Sequence, residues 1–253
     1  MARGPVFLIG GGWDAAGLAH TYGRFVAAVG DPSARIACIL LDHDERDAYF
    51  ARSVEAFAAV GATGLVPAFV SPERPLQELD IEGAAGIFVG GGLTPDYYDA
   101  IVLAAGSWLR ERVESGMPYA GFSAGAMIAP VDGIISGWKL RHGDGTLATL
   151  ADLAICSEDV SEDGEYLDVR PGIGLAPFAV DVHASQYGTA TRLLHAVRTG
   201  RVPEGWAVDE DTMIELSNGR VTVSGLVSAY HVRPDGDVLA VTILTHGDSR
   251  EMG

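Results

Sequence analysis

This sequence predicts an α/β protein: a mostly parallel sheet with helices on both faces and a β-rich C-terminal portion. Three observations carry that expectation. Short apolar runs alternate with longer segments of helical periodicity through the first half. Two of those runs end in glycine triplets, Gly10–Gly12 and Gly90–Gly92. A third ends in Gly121-Phe122-Ser123-Ala124-Gly125. Strand, glycine turn and helix in repetition build a parallel sheet covered by helices. The 253 residues, 48% hydrophobic and 20% charged, suffice for a single domain over residues 1–253.

Val6–Ile9 is a short buried strand that meets the first glycine triplet. Ala15–Val29 places Leu18, Tyr22, Phe25, Val26 and Val29 at helical spacing. Ile36–Leu41 is a second buried strand, and the polar loop Asp42–Glu45 follows. Asp47–Val60 is helical and stops at Gly61. Leu65–Val70 and Ile87–Val89 are further strands, and Tyr97–Ser115 is an amphipathic helix closed by Gly116 and Pro118. Beyond Ser123 the alternation fails. Ser157–Glu165 is acidic and turn-rich, Val180–His183 ends a strand, and Gly188–Arg198 is a helix. From Trp206 short strands dominate, with an Asn218-Gly219 hairpin turn between Met213–Leu216 and Val221–Val223. This portion is expected to complete the sheet.

The charge balance excludes some partners. Thirty-four acidic residues against seventeen basic ones leave a net charge of -17, which repels phosphate backbones and anionic membrane surfaces. Neither nucleic acid nor membrane is an expected partner, while a second copy of the chain is left open. Cys38 and Cys156 sit in apolar contexts and read as reduced thiols. The N-terminus enters a strand at once, without a signal-peptide pattern, and no apolar run reaches membrane-spanning length. A cytoplasmic location is the expectation.

Gly121–Gly125 has the spacing G-x-S-x-G of a nucleophile elbow, a strand-to-helix turn that exposes a serine Oγ. The N–H of Ala124 would then face a developing oxyanion, and a glycine of Gly90–Gly92 could supply the second donor. A packing turn without chemistry would use the same small residues. A serine nucleophile needs a base, and His183 follows a strand and precedes a helix, at the sheet edge where such sites assemble. His43, His142, His195 and His231 are less well placed. Gly10–Ala15 fits the permissive dinucleotide pattern G-x-G-x-x-A, with Asp42 after the second strand. A glycine turn at a strand tip serves any doubly wound fold, so nucleotide binding is the weaker reading. Asp159–Gly164 begins like a calcium loop, but its twelfth position is Arg170, and no zinc spacing occurs, so no metal is expected.

Taken together, these pieces resemble the dipeptidase E and cyanophycinase family of serine peptidases. The matching segments are Gly90-Gly91-Gly92-Leu93-Thr94, Gly121–Ala126, Gly172–Pro177 leading to Asp181-Val182-His183, and Gly205–Thr212. The resemblance implies a flavodoxin-like sheet related to class I glutamine amidotransferases, with serine in place of their cysteine, and no cofactor. It implies Ser123 as nucleophile, His183 as base, and Ala124 with Gly91 or Gly92 as oxyanion donors. It also implies action on small acidic peptides at aspartyl bonds. Counting back from His183 by the family's spacing lands the triad acid on Asp159, with Glu158 and Glu162 as rivals; counting forward from Ser123 meets Asp132 and Asp144. An acidic substrate needs a fixed cation in so negative a protein, and Arg192, in a Thr-Arg setting the family shares, is the candidate. The sixty residues from Ser123 to His183 exceed the family's usual separation, with the extra length between Trp138 and Arg170. Two other functions fit the same turns: a small-molecule-binding protein without catalysis, and an esterase or amidase.

Overall fold

The computed structural model describes residues 3–141 and 152–252; His142 and Asp144 lie outside them. The first half contains β1 (Val6–Ile9), α1 (Tyr22–Val29), β2 (Ile36–Leu41), α2 (Arg46–Ala59), β3 (Leu65–Val70) and β4 (Gly86–Val89). Then come α3 (Thr94–Tyr97), a π-helical turn, α4 (Leu103–Glu114), β5 (Tyr119–Phe122) and α5 (Ala124–Met127). Short strands β6 (Asp132–Ser136), β7 (Lys139–Leu140), β8 (Leu153–Ala154) and β9 (Asp168–Pro171) lead to β10 (Ala179–Val182) and α6 (Thr189–Arg198). The rest is β: β11 (Gly205–Val208), β12 (Thr212–Ser217), β13 (Arg220–Gly225), β14 (Ser228–Asp235), β15 (Val238–Thr245) and β16 (Ser249–Glu251).

The main sheet has eight strands in the order β16-β13-β12-β1-β5-β4-β2-β3. The five from β1 to β3 are parallel, and β12, β13 and β16 extend them antiparallel. Period-two alternation sends one set of side chains to each face. Phe7, Ile9, Cys38, Leu40 and Phe88 pack with α1 and α2. Val6, Leu8, Ile39, Ile87 and Val89 pack with α4, α5 and the second sheet. On the first face Phe57 meets Phe88 edge-on at 5.1 Å between ring centroids. Such a pair is worth about 0.5–1.5 kcal/mol beyond its buried area.

The C-terminal portion completes the main sheet only in part. β10, β11, β14 and β15 form a separate four-stranded sheet in that order, whose apolar residues join the same core. The connection from β11 to β12 therefore crosses from one sheet to the other, carrying residues 209–211 between them. Asn218 and Gly219 turn the β12–β13 hairpin with φ of 52° and 75°, as a primed turn requires. The first helix begins at Tyr22, later than its periodicity predicts. Asp14 accepts from the Ala16 N–H at 2.8 Å through its side chain and from the Gly17 N–H at 2.9 Å through its carbonyl, which holds the segment in turns. Among the described residues no helix is long and apolar enough to cross a membrane.

Candidate active site

Ser123 lies between β5 and α5 with φ 51° and ψ -114°, a conformation that costs a non-glycine residue of order 1–3 kcal/mol. Its surroundings hold it there. The Ser123 N–H donates to Ile9 O at 3.0 Å, and the Gly125 N–H donates to Gly90 O at 3.1 Å. Both glycines of the elbow are required by close approach: a Cβ on Gly121 would stand 2.3 Å from Gly125 O, and one on Gly125 would stand 2.4 Å from Val89 O. The strain aims the side chain outward.

His183 follows β10 with φ 55°, and its N–H donates to Gly10 O at 2.9 Å. Its Nε2 lies 2.9 Å from Ser123 Oγ, and its Nδ1 lies 2.8 Å from Glu210 Oε1. A carboxylate can only accept, so Nδ1 carries the proton and the Nε2 lone pair faces the serine hydroxyl. The structure thus brings Ser123 and His183 together from two different sheets and adds Glu210, which the sequence reading missed.

Glu210 is the middle residue of the crossing from β11 to β12, and its neighbours fix it. Asp209 is fully buried and accepts from the Ser185 N–H at 2.8 Å, Ser185 Oγ at 2.6 Å and the Ser228 N–H at 3.2 Å. The Asp211 carboxylate accepts from the Asp14 N–H at 2.9 Å, while its own N–H donates to Gly11 O at 2.8 Å. The sequence signal was present. Trp206–Val208 is an apolar run ending in three acids, and β11 pairs in parallel with β10, so both strand ends reach one edge.

Asp159, expected as the acid, is not on the histidine ring. It lies in a short 3-10 turn, where it accepts from Ser157 Oγ at 3.1 Å and helps to line the cleft beside His183. Of its rivals, Glu158 is exposed and Glu162 accepts from the Thr94 N–H at 2.8 Å. Counting along the chain failed because the carboxylate comes from beyond the histidine. Asp132, on β6, is also not on the ring. The cleft holds about 430 Å³ and includes Gly92, Asp159, Glu162, Asp163, His183 and Tyr187. Burial pushes the Glu162 carboxyl up from its ordinary range, although the Thr94 N–H pulls the other way.

Arg192 does not reach this cleft as a free cation. It is buried, paired bidentately with Asp181 at 2.7 and 2.8 Å, and it donates to Val160 O at 2.7 Å and Gly137 O at 3.3 Å. Burial opposes the charge, but the Asp181 carboxylate outweighs it and keeps the guanidinium protonated. Its work is to pin the acidic segment in place. Of the expected oxyanion donors, Gly91 is already engaged: its N–H donates to the Tyr49 hydroxyl at 2.9 Å. Burial pushes that hydroxyl up to about 12, so it stays neutral. Among the described residues no acceptor faces the N–H of Gly92 or Ala124.

The first glycine triplet has a packing role in this site. Gly10 abuts the Asp209 carbonyl, Gly11 the His183 ring and Gly12 the Asp211 carboxylate. Asp42, the acid of the dinucleotide reading, instead forms an ion pair with Arg46.

The family model for peptidase family S51 matches residues 6–139, more than half of the chain and including Ser123. Among solved structures the chain is similar to a peptidase from an acI-B1 Actinobacterium, with a TM-score of 0.66 and 16% identity over 99% of this chain and 97% of that one. It is also similar to a putative peptidase E protein from Listeria monocytogenes EGD-e, with a TM-score of 0.46 and 14% identity over 96% of this chain and 100% of that one. The first likeness supports a mixed α/β fold with a large, mainly parallel sheet and a β-rich C-terminal part. With the family match covering the elbow, the chain belongs to peptidase family S51 and is a serine-type peptidase.

Proposed function

We propose that this peptidase works through an acyl-enzyme on Ser123, and the observation that carries the reading is the Ser123–His183–Glu210 chain at 2.9 and 2.8 Å. Ser123 Oγ attacks the scissile carbonyl while His183 Nε2 takes its proton. Glu210 holds the ring in the required tautomer and stabilises the imidazolium that forms. The N–H groups of Ala124 and Gly92 receive the oxyanion. His183 then protonates the leaving amine, and water attacks the ester with His183 again as base. The residues act in this route without a metal or organic cofactor.

The substrate we infer is a small peptide cut at an aspartyl bond. Support for the aspartyl preference comes from the resemblance to dipeptidase E and cyanophycinase, and Arg192 is not the group that receives the carboxylate. The rim formed by Asp159, Glu162 and Asp163 suits the ammonium group of a short peptide. We read the parallel half as the class I glutamine amidotransferase-like arrangement. The free thiols, Cys38 buried and Cys156 half-buried, support a place in the reducing cytoplasm.

A fluorophosphonate probe tests the nucleophile. Labelling should fall on Ser123 and vanish in Ser123→Ala, which should keep its fold and lose several orders of magnitude in turnover. Aspartyl p-nitroanilide compared with a neutral anilide and a simple ester tests the substrate. An unlabelled Ser123 would remove the acyl-enzyme, and equal rates on the two anilides would remove the aspartyl preference alone.

A further inference from the structure

Each of the two large sheets has two edges, and three of those four are blunted against pairing. β3 carries Pro67, which cannot donate to a ladder. β16 has three residues, two of them charged. β10 is buried along its length and packed against α5 and β6. The fourth edge, β15, has eight residues, Val-Leu-Ala-Val-Thr-Ile-Leu-Thr, with no charge, proline or glycine. Val238, Val241 and Ile243 are 62%, 47% and 63% exposed there.

The face is identified by register. A Cβ on Gly205 would meet Leu193 of α6, so Gly205 points at that helix, as do Val232 and Val241 level with it. Ala207, Tyr230 and Ile243 share the same face two residues along. α6 covers β10, β11 and β14 but reaches β15 only marginally. Val241 and Ile243 therefore remain open beside an unpaired strand edge, whose C-terminal residue Thr245 donates its N–H to Asp248 Oδ2 at 2.8 Å and accepts from the Asp248 N–H at 3.0 Å.

We propose that β15 pairs antiparallel with β15 of a second copy of this chain, about a two-fold axis at Val241, joining two four-stranded sheets into one of eight. The strand is complementary to its own reverse. Val241 then faces Val241, Leu239 faces Ile243, and Ala240 faces Thr242, so apolar residues meet on the α6 side. At the strand ends Asp237 faces Thr245, whose N–H and Oγ1 hold the Asp248 carboxylate at 2.8 and 3.1 Å, so acids of the two copies approach only there, outside the apolar pairs. In a chain of net charge -17 an uncharged run of eight residues is where two copies approach with least repulsion. Such a contact is isologous and closes at two.

Size sets the strength. An eight-residue edge is about 27 Å long and about 10 Å thick, roughly 270 Å² per copy. Two such edges bury roughly 540 Å² in total, below the about 1,000 Å² of a stable specific interface, which places the contact among weak, transient ones. The expected product is a reversible dimer of modest affinity.

Sedimentation equilibrium of the full chain over a concentration series should show a monomer–dimer equilibrium that strengthens with salt, because screening relieves the long-range repulsion. Val241→Lys places two cations on the axis and should weaken the dimer at least about tenfold, with turnover retained. Under mild oxidation Val241→Cys should cross-link to itself, whereas Val238→Cys, facing Leu244 of the second copy, should not. A wild-type chain that stays monomeric throughout would overturn the proposal. So would a Val241→Lys dimer of unchanged affinity, or a Val238→Cys cross-link as efficient as that of Val241→Cys.

Discussion

Gly11 and His183 are packed so closely that a Cβ on Gly11 would stand 2.3 Å from the imidazole Cε1 and 2.6 Å from Nδ1. Gly11 also has φ of 118°, where side chains are strained. The absence of a methyl group on the glycine turn after β1 thus fixes where the imidazole can stand. Gly11→Ala should displace the ring by about 1 Å and lower kcat by about 10². Steady-state kinetics and the rate of fluorophosphonate labelling should fall together.

Glu210→Gln keeps the shape of the side chain but removes its charge and permits the wrong histidine tautomer. The expected loss in kcat is about 10²–10⁴, with KM little changed. Asp159→Asn, at the cleft rim, should cost far less. Equal losses in the two variants would contradict the placement of Glu210 as the partner of the base.

Arg192→Ala leaves Asp181, which is fully buried, without its counter-charge. Breaking a buried pair from one side costs about 3–5 kcal/mol. Arg192→Lys should also destabilise, because an ammonium cannot reproduce the bidentate contact and the bonds to Val160 O and Gly137 O together. Thermal unfolding should show both effects. Any change in KM should be the same for aspartyl and neutral substrates, since the guanidinium does not face the cleft.

Glu162 gives the stability a pH dependence of definite sign. Burial raises its carboxyl in the folded protein, so the folded state binds more protons than the unfolded one. Its contribution is fully present below the unfolded value of about 4.3 and is lost as pH rises through the folded value. Asp211 and Asp96, also raised by burial, act in the same direction. Glu162→Gln removes the charge while keeping a carbonyl acceptor for the Thr94 N–H. It should raise Tm near neutral pH, and the gap should close in acid.

The parallel half was legible because its signals are local. Glycine stops, period-two strands and the tight spacing around Ser123 each depend on a few adjacent residues. His183 was legible for the same reason, at the junction of an apolar strand and a helix. Glu210 was not, because its position depends on β11 leaving one sheet and β12 entering another, a division that no local pattern records. Arg192 misled by its chemistry: a guanidinium near the histidine in sequence suits a substrate carboxylate, but Asp181, on β10 eleven residues before it, holds it inside. Gly91 and Gly92 were equivalent in sequence, and the reach of the Tyr49 hydroxyl from α2 distinguishes them.

Asp209, Glu210 and Asp211 follow one another without a spacer, yet their carboxylates serve three separate neighbours: the loop after β10, the imidazole, and the turn after β1. The ruler between β11 and β12 is therefore three residues long and has no slack. A deletion or insertion between Val208 and Thr212 would rotate every carboxylate to the wrong address, presenting the His183 ring with a group already committed to Ser185 or to the Asp14 amide. Variation in this tripeptide is confined to exchange of side chains at constant length, and any redesign of the peptidase must keep that count before it alters the chemistry.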